Sequence, residues 1–124
     1  MKLLRYGPKG QEKPGIVDAE GNVRDLSAEV ADINGAALGD AALAELAALD
    51  LNTLPLVEVE RYGPCVGNVG KFVCIGLNYS DHALEAGLKV PKEPIIFGKA
   101  TSAICGPNYN VEIPRGSTAT DWEV

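Results

Sequence analysis

Short apolar runs alternate with clusters of turn residues in the first part of the chain. Gly7–Gly10 and Asp18–Asn22 are turn clusters, and Pro14–Val17 between them is apolar. Because Gly, Pro, Asn and Asp favour turns, the runs between such clusters are typical of strands. The pattern predicts a small meander of antiparallel strands over residues 2–26.

A helical period follows the meander. Ser27, with Glu29 and apolar positions after it, resembles the start of a helix, and Asp40 is placed to cap an Ala-rich segment over residues 41–49. At helical spacing, four residues of that segment share one face: Leu43, Leu46, Ala47 and Leu49. We therefore expect two short helices.

The pattern changes again between residues 52 and 69, where Pro55, Gly63, Pro64 and Gly67 stand among single apolar residues. Such a change in composition is typical of a domain boundary, which we place near residue 65. Residues 1–65 would then form a small amino-terminal domain, and residues 66–124 the start of a second domain.

Apolar runs return in the last part of the chain. The continuous run Phe72–Gly76 predicts a strand buried on both faces. A helical stretch follows over residues 78–87 and should end at its final glycine. Pro94–Lys99 is a second expected strand, and a loop over residues 100–107 leads to a third extended piece, Val111–Pro114. Together these elements predict an α+β protein.

Composition and charge narrow the class of protein. Of the 124 residues, 46% are hydrophobic and 23% are charged, which is typical of a folded globular chain. A formal charge of −6 without a Lys/Arg cluster provides no electrostatic footprint for nucleic acid. The apolar stretches fall far short of the roughly 20 residues that span a bilayer. The amino terminus turns polar too early for a signal peptide, so we expect a cytoplasmic protein.

The three cysteines, Cys65, Cys74 and Cys105, include no close pair. In a cytoplasmic chain we expect them to be reduced and buried. A catalytic thiol would need a nearby base, and the single histidine, His82, makes that alternative the weaker one. A zinc site is weaker still.

His82 and Glu85 are three residues apart in the expected helix, so both side chains project from one face. A histidine held by a carboxylate can serve as a general base near neutral pH. The same spacing is typical of a solvated surface pair, so the pair alone decides nothing.

Three ordered motifs surround this pair: Cys74–His82, Pro94–Lys99 and Asp121–Val124. Together they resemble the fumarylacetoacetate hydrolase family. The segments Lys2–Gly7 and Glu12–Gly15 resemble the amino-terminal domain of its bacterial sugar-acid and ureidoglycolate members. The resemblance extends over essentially the whole chain. It implies a small amino-terminal α/β domain followed by the start of a β-rich catalytic domain, in a homodimeric enzyme that uses Mg²⁺ or Mn²⁺.

Position by position, the resemblance makes His82 the histidine that activates the attacking water and Glu85 its carboxylate partner. Lys99 matches a lysine that faces the active site and stabilises negative charge. Glu123 matches the first carboxylate of the family's Glu-x-Glu metal motif. The second glutamate and the later aspartate of the metal site have no counterparts within this sequence, so we expect this chain by itself to be inactive. Two further residues would neighbour the substrate cleft: Asn78 and Tyr79.

The resemblance implies cleavage of a carbon–carbon bond in a 2-oxo or dioxo acid such as an acylpyruvate. Relatives in the same family isomerise or decarboxylate such acids or act as ureidoglycolate lyases, and these reactions stay open as alternatives. A non-catalytic module, which assembles with a partner and shows no metal dependence, is an alternative from a different class.

Overall fold

A four-stranded antiparallel sheet forms the first half of the structure, which is a computed structural model describing residues 1–120. The strands lie side by side in chain order: β1 (Leu3–Tyr6), β2 (Lys13–Val17), β3 (Val23–Asp25) and β4 (Leu56–Val57). The first three confirm the predicted meander. The sequence pattern does not predict β4, because two paired residues leave no alternation to detect. The expected metal ligand Glu123 lies outside the described residues.

The turn between β2 and β3 shows how turn residues set this sheet. The Asp18 carboxylate accepts the Asn22 N–H at 2.8 Å and the Arg24 Nε–H at 2.8 Å. Gly21 has a φ of +90°, a left-handed conformation that glycine adopts without strain. The buried carboxylate therefore closes the turn and holds an arginine of the next strand.

An apolar core packs against one face of the sheet. The α-helix α1 (Asp40–Ala47) and the segments around it supply most of the side chains that cover β2. Five residues of this core are at most 7% exposed: Ile16, Leu26, Ile33, Leu46 and Leu54. Burying apolar surface of this kind is the main favourable contribution to folding, so the first half has its own source of stability.

The helix predictions for this half are partly wrong. The Ala-rich helix forms, but it begins after Gly39, and Asp40 lies in its first turn without a capping hydrogen bond. Ala47, expected on the apolar face, is exposed. No helix follows Ser27: the Leu26 carbonyl accepts the Glu29 and Val30 N–H groups at 2.9 and 3.0 Å, and this single turn does not continue into a helix.

Two antiparallel strands, β5 (Phe72–Gly76) and β6 (Ile95–Lys99), form a separate sheet in the second half. The helix α2 (Ser80–Glu85) lies between them in the chain, and Gly87 follows it with a φ of +66°. Glycine in this conformation is a common way to end a helix. These elements confirm the predicted strand, helix and strand.

Burial in the β5–β6 pair differs from the prediction. Val73 and Ile75 are 61% and 41% exposed, so β5 is not buried on both faces. The reason is that no other helix or strand of residues 1–120 covers the face that carries them. The expected third extended piece, Val111–Pro114, is not part of a strand, since no strand in the described range pairs with it.

The cysteines also differ in part from the prediction. All three are free, as expected, but Cys65 and Cys105 are exposed and Cys74 is half-buried. Cys65 and Cys105 lie in irregular segments outside the apolar core, which explains their exposure.

Residues 61–67 connect the two halves and run beside the free edge of β1. The Gly7 N–H donates to the Arg61 carbonyl at 3.0 Å, and the Gly63 N–H donates to the Arg5 carbonyl at 2.8 Å. These bonds use backbone groups of β1 that would otherwise face solvent at the sheet edge. The predicted domain boundary near residue 65 falls within this segment.

The architecture as a whole is α+β, as predicted. Strands dominate each half, and the α-helices are short. Within residues 1–120, no helix has the length and apolar character needed to cross a membrane.

Candidate functional site

The helix α2 presents His82 and Glu85 on one exposed face. Tyr79 precedes the helix in an extended conformation, and the Asp81 carboxylate accepts the His82 N–H at 2.9 Å. Both His82 and Glu85 are exposed, and no hydrogen bond or ion pair joins their side chains among the residues that the structure describes. Their spacing places both within reach of one water molecule or one substrate group.

Lys99 lies at the far end of the strand pair from the point where α2 is attached. It is opposite Phe72, the first residue of β5, whereas Gly76 at the other end of β5 is opposite Ile95. The four residue-to-residue steps from Ile95 to Lys99 span roughly 13 Å along the strand. The strand register therefore does not bring Lys99 to the end of the sheet from which α2 leaves.

An open groove of about 480 Å³ lies at the Lys99 end of the strand pair. Apolar side chains and two lysines line it, and neither His82 nor Glu85 does. Asn78 and Tyr79, which were expected near a substrate cleft, are exposed and lie on the approach to α2 rather than in this groove. The principal lining residues are Lys71, Phe72, Val73, Ile96, Phe97 and Lys99.

The described residues do not form a metal site. Within residues 1–120, no three His, Cys, Asp or Glu side chains come together in a way that could hold a metal ion. A hard divalent cation needs several oxygen ligands in suitable geometry. Residues 1–120 alone therefore do not fit the metal that the resemblance implies.

A network of partly buried charges, which the sequence pattern does not reveal, lies in the first half. Arg5 binds Asp32 through two hydrogen bonds, with Nε to Oδ1 at 2.6 Å and Nη2 to Oδ2 at 3.2 Å. Glu12 lies between two arginines, with Oε1 at 3.0 Å from Arg61 Nη2 and Oε2 at 3.7 Å from Arg5 Nη2. Arg5 and Asp32 are 27 residues apart in the chain, and Glu12 and Arg61 are 49 apart, so these two pairs leave no local signal in the sequence.

The environment of Glu12 favours its charged form. Burial alone would raise the pKa of this carboxyl group, but hydrogen bonds from its own backbone, Arg61 and Gly10, and the charge of Arg5, hold the pKa below its usual value. Glu12 therefore stays ionised between its two arginine partners.

Tyr6 shows the opposite effect on the same sheet. The pKa of its phenol is raised to about 12, mainly because the group is buried and also because the Asp25 carboxylate lies nearby. The hydroxyl is buried and has no partner in standard hydrogen-bond geometry within residues 1–120. Tyr6 lies in β1 and Glu12 directly before β2, so both groups belong to the first half, whereas the candidate site lies on α2 in the second half.

Comparison with known proteins adds to this geometry. Residues 71–124 match the family described as fumarylacetoacetate (FAA) hydrolase, C-terminal. Across 125 aligned positions, the chain is 68% identical to a protein of Burkholderia ambifaria, 68% identical to one of Burkholderia multivorans and 67% identical to one of Burkholderia lata. These relatives carry hydrolase names that specify no substrate.

The fold and these similarities place the chain among α+β proteins related to hydrolases. The match to the fumarylacetoacetate hydrolase family spans residues 71–124, fewer than half of the chain's residues, and this segment contains β5, α2 and β6. The alignments cover 100% of this chain and 44% of each of these relatives, so the chain spans less than half of their length.

Proposed function

We propose that the protein is a hydrolase that cleaves a carbon–carbon bond in a 2-oxo or dioxo acid of the acylpyruvate type. The observation that carries the proposal is that His82 and Glu85 share the exposed face of α2 inside the segment that matches the family. The hydrolase names of the relatives support the same class of reaction.

In this mechanism, His82 accepts a proton from a water molecule, and Glu85 stabilises the imidazolium that forms. The water oxygen bonds to a carbonyl carbon of the substrate, and the adjacent carbon–carbon bond breaks. Its electron pair stays on the departing carbon as an enolate, which takes up the proton. The products are a carboxylic acid and a 2-oxo acid.

The role of Lys99 in this scheme rests on the resemblance. A lysine ammonium can offset the negative charge of the enolate. The strand register places Lys99 at the end of β6 away from the attachment of α2, so the strand pair alone does not join it to His82.

The remaining parts of the proposal also rest on the resemblance. Mg²⁺ or Mn²⁺ would supply the charge that polarises the substrate oxygens, with Glu123 as one of its carboxylate ligands. We further propose that the protein acts as a cytoplasmic homodimer on a small-molecule oxo acid. Isomerisation, decarboxylation and ureidoglycolate cleavage are the other reactions that the same family resemblance allows.

The test is an assay of acylpyruvate cleavage by the purified protein, with and without Mg²⁺ or Mn²⁺, on material whose mass has been verified. His82→Ala should lower kcat by about 100-fold or more, because it removes the general base. Glu85→Gln should lower kcat less, since the imidazole remains.

Lys89→Ala is the matched control, because it removes an exposed charge just beyond α2 and should leave the rate unchanged. Cleavage that survives His82→Ala would exclude the proposed base. Because these 124 residues alone are expected to be inactive, the deciding assay uses material whose verified mass exceeds theirs. Absence of cleavage there, together with cooperative unfolding that metal does not alter, would favour the non-catalytic module.

A further inference from the structure

The loop that follows β6 returns to the first half of the molecule. The Arg61 guanidinium lies over the Tyr109 ring, with its Cζ atom 5.0 Å from the ring centroid, which is within cation–π distance. Gly106 is buried beside this contact, and a Cβ atom added to it would lie 2.6 Å from the Tyr62 carbonyl oxygen. Residues 104–110 are therefore seated directly on the segment that connects the two halves.

Arg61 is held from its other side by the first sheet. Its Nη2 atom lies 3.0 Å from Glu12 Oε1, and its Nη1–H donates to the Gly7 carbonyl. The Glu12 side chain is only 7% exposed. Gly63 gives it room, because a Cβ atom at that position would lie 2.5 Å from Glu12 Cγ.

We propose that Glu12, Arg61 and Tyr109 form a clamp, in which Glu12 determines how firmly residues 104–110 are seated although its carboxylate contacts arginines and not Tyr109. A guanidinium without this buried partner would gain hydration by moving away from the ring, and the cation–π contact weakens beyond about 6 Å. The proposal concerns the junction between the two halves and does not depend on the proposed reaction.

The clamp has a consequence for the second half, because residues 104–110 begin five positions after Lys99, the last residue of β6. Seating this loop restrains the path of the chain as it leaves the strand pair. The clamp is therefore a link between the charge network of the first sheet and the end of β6.

Amide hydrogen exchange, resolved by peptide, tests this link on the purified protein. Glu12→Gln should speed exchange within residues 104–110 by about 3- to 10-fold, because the loop opens more often once Arg61 is released. Arg24→Gln is the matched control, since it removes another ion pair of the first half, at 2.8 Å from Asp18, and the other hydrogen bond of Arg24 goes to the Leu54 carbonyl rather than to the loop. Arg24→Gln should leave exchange in residues 104–110 unchanged.

A second pair of variants separates the ring from the hydroxyl. Tyr109→Phe keeps the ring, and the Tyr109 hydroxyl has no hydrogen-bond partner within residues 1–120, so exchange should stay as in the unmodified protein. Tyr109→Leu should speed amide exchange within residues 104–110, because it removes the ring that Arg61 contacts. If Glu12→Gln does not fold, Arg61→Lys replaces it, because it keeps the charge but loses one of the two anchoring bonds.

Equal effects of Glu12→Gln and Arg24→Gln on residues 104–110 would overturn the proposal, because the loop would then be responding to general loss of stability. Unchanged exchange in Glu12→Gln or in Arg61→Lys would overturn it as well, as would equal effects of the two Tyr109 variants.

Discussion

The two sheets are built from similar apolar residues but differ in what covers them. Ile16 of β2 is 2% exposed, whereas Ile96 of β6 is 70% exposed and Val73 of β5 is 61% exposed. The first sheet is packed by α1 and the segments around it, while the second lacks a covering helix or strand within residues 1–120. An apolar run therefore predicts that a strand forms, but its burial depends on which other elements pack against it.

The largest expected effect tests the packed half. Ile33 is 1% exposed within the core, so Ile33→Ala should lower the free energy of unfolding by about 2–5 kcal/mol through lost burial and a new cavity. Urea denaturation followed by circular dichroism measures this change. Ile113→Ala is the control, because Ile113 is 61% exposed and the change should stay within about 0.5 kcal/mol. Similar losses for both variants would contradict the contrast between the two regions.

This contrast also explains how much of the fold the sequence predicts. Turn clusters and apolar periods are local signals, and they predict β1–β3, α1, β5, α2 and β6. Exposure at Val73, Cys65 and Cys105 depends on contacts between distant segments, and the predictions of burial there were wrong. The prediction of a helix after Ser27 was wrong for another reason: the Asp25 carboxylate accepts the Ser27 N–H as a helix cap would, but only one turn forms after it.

The candidate site shows the same limit. The spacing of His82 and Glu85 predicts a shared helix face, and their place on α2 follows from the local pattern. The position of Lys99 relative to that helix depends on strand register, which the sequence does not specify for a strand exposed on both faces. The contact between Glu12 and Arg61 is still harder to predict from the sequence, because the two residues are 49 positions apart in the chain.

The second expected effect uses alkaline pH to probe the packed half. The pKa of Tyr6 is raised from 10.0 to about 12 in the folded protein, so the folded state retains this proton when the unfolded state has lost it. The contribution of this raised pKa to the free energy of unfolding is fully present below pH 10 and is lost as the pH rises through 12. A shift of this size corresponds to stability on the order of 2–3 kcal/mol.

Tyr6→Phe isolates this contribution, because it removes the titrating group and keeps the ring in the core. The free energy of unfolding of the unmodified protein should fall more steeply between pH 10 and pH 12 than that of the variant. Chemical denaturation at several pH values measures both slopes. Parallel slopes would mean that Tyr6 titrates alike in the folded and unfolded states, and the sheet would then be less tightly packed around it than the structure shows.

The smallest expected effect on stability probes the uncovered half. Ile96→Thr replaces a 70% exposed apolar residue with a β-branched polar one that suits a strand equally well, so the free energy of unfolding should change by less than about 0.5 kcal/mol. Self-association should change more than stability, because apolar strands with free edges favour contacts between chains.

Light scattering over a range of concentrations should therefore show less association in Ile96→Thr than in the unmodified protein. Arg115→Gln, at another exposed site outside the strand pair, should leave association unchanged. A loss of stability above about 1 kcal/mol in Ile96→Thr would instead mean that this face is covered in solution. The two sheets would then differ in what covers them, the chain's own segments or another chain, and not in whether they are covered.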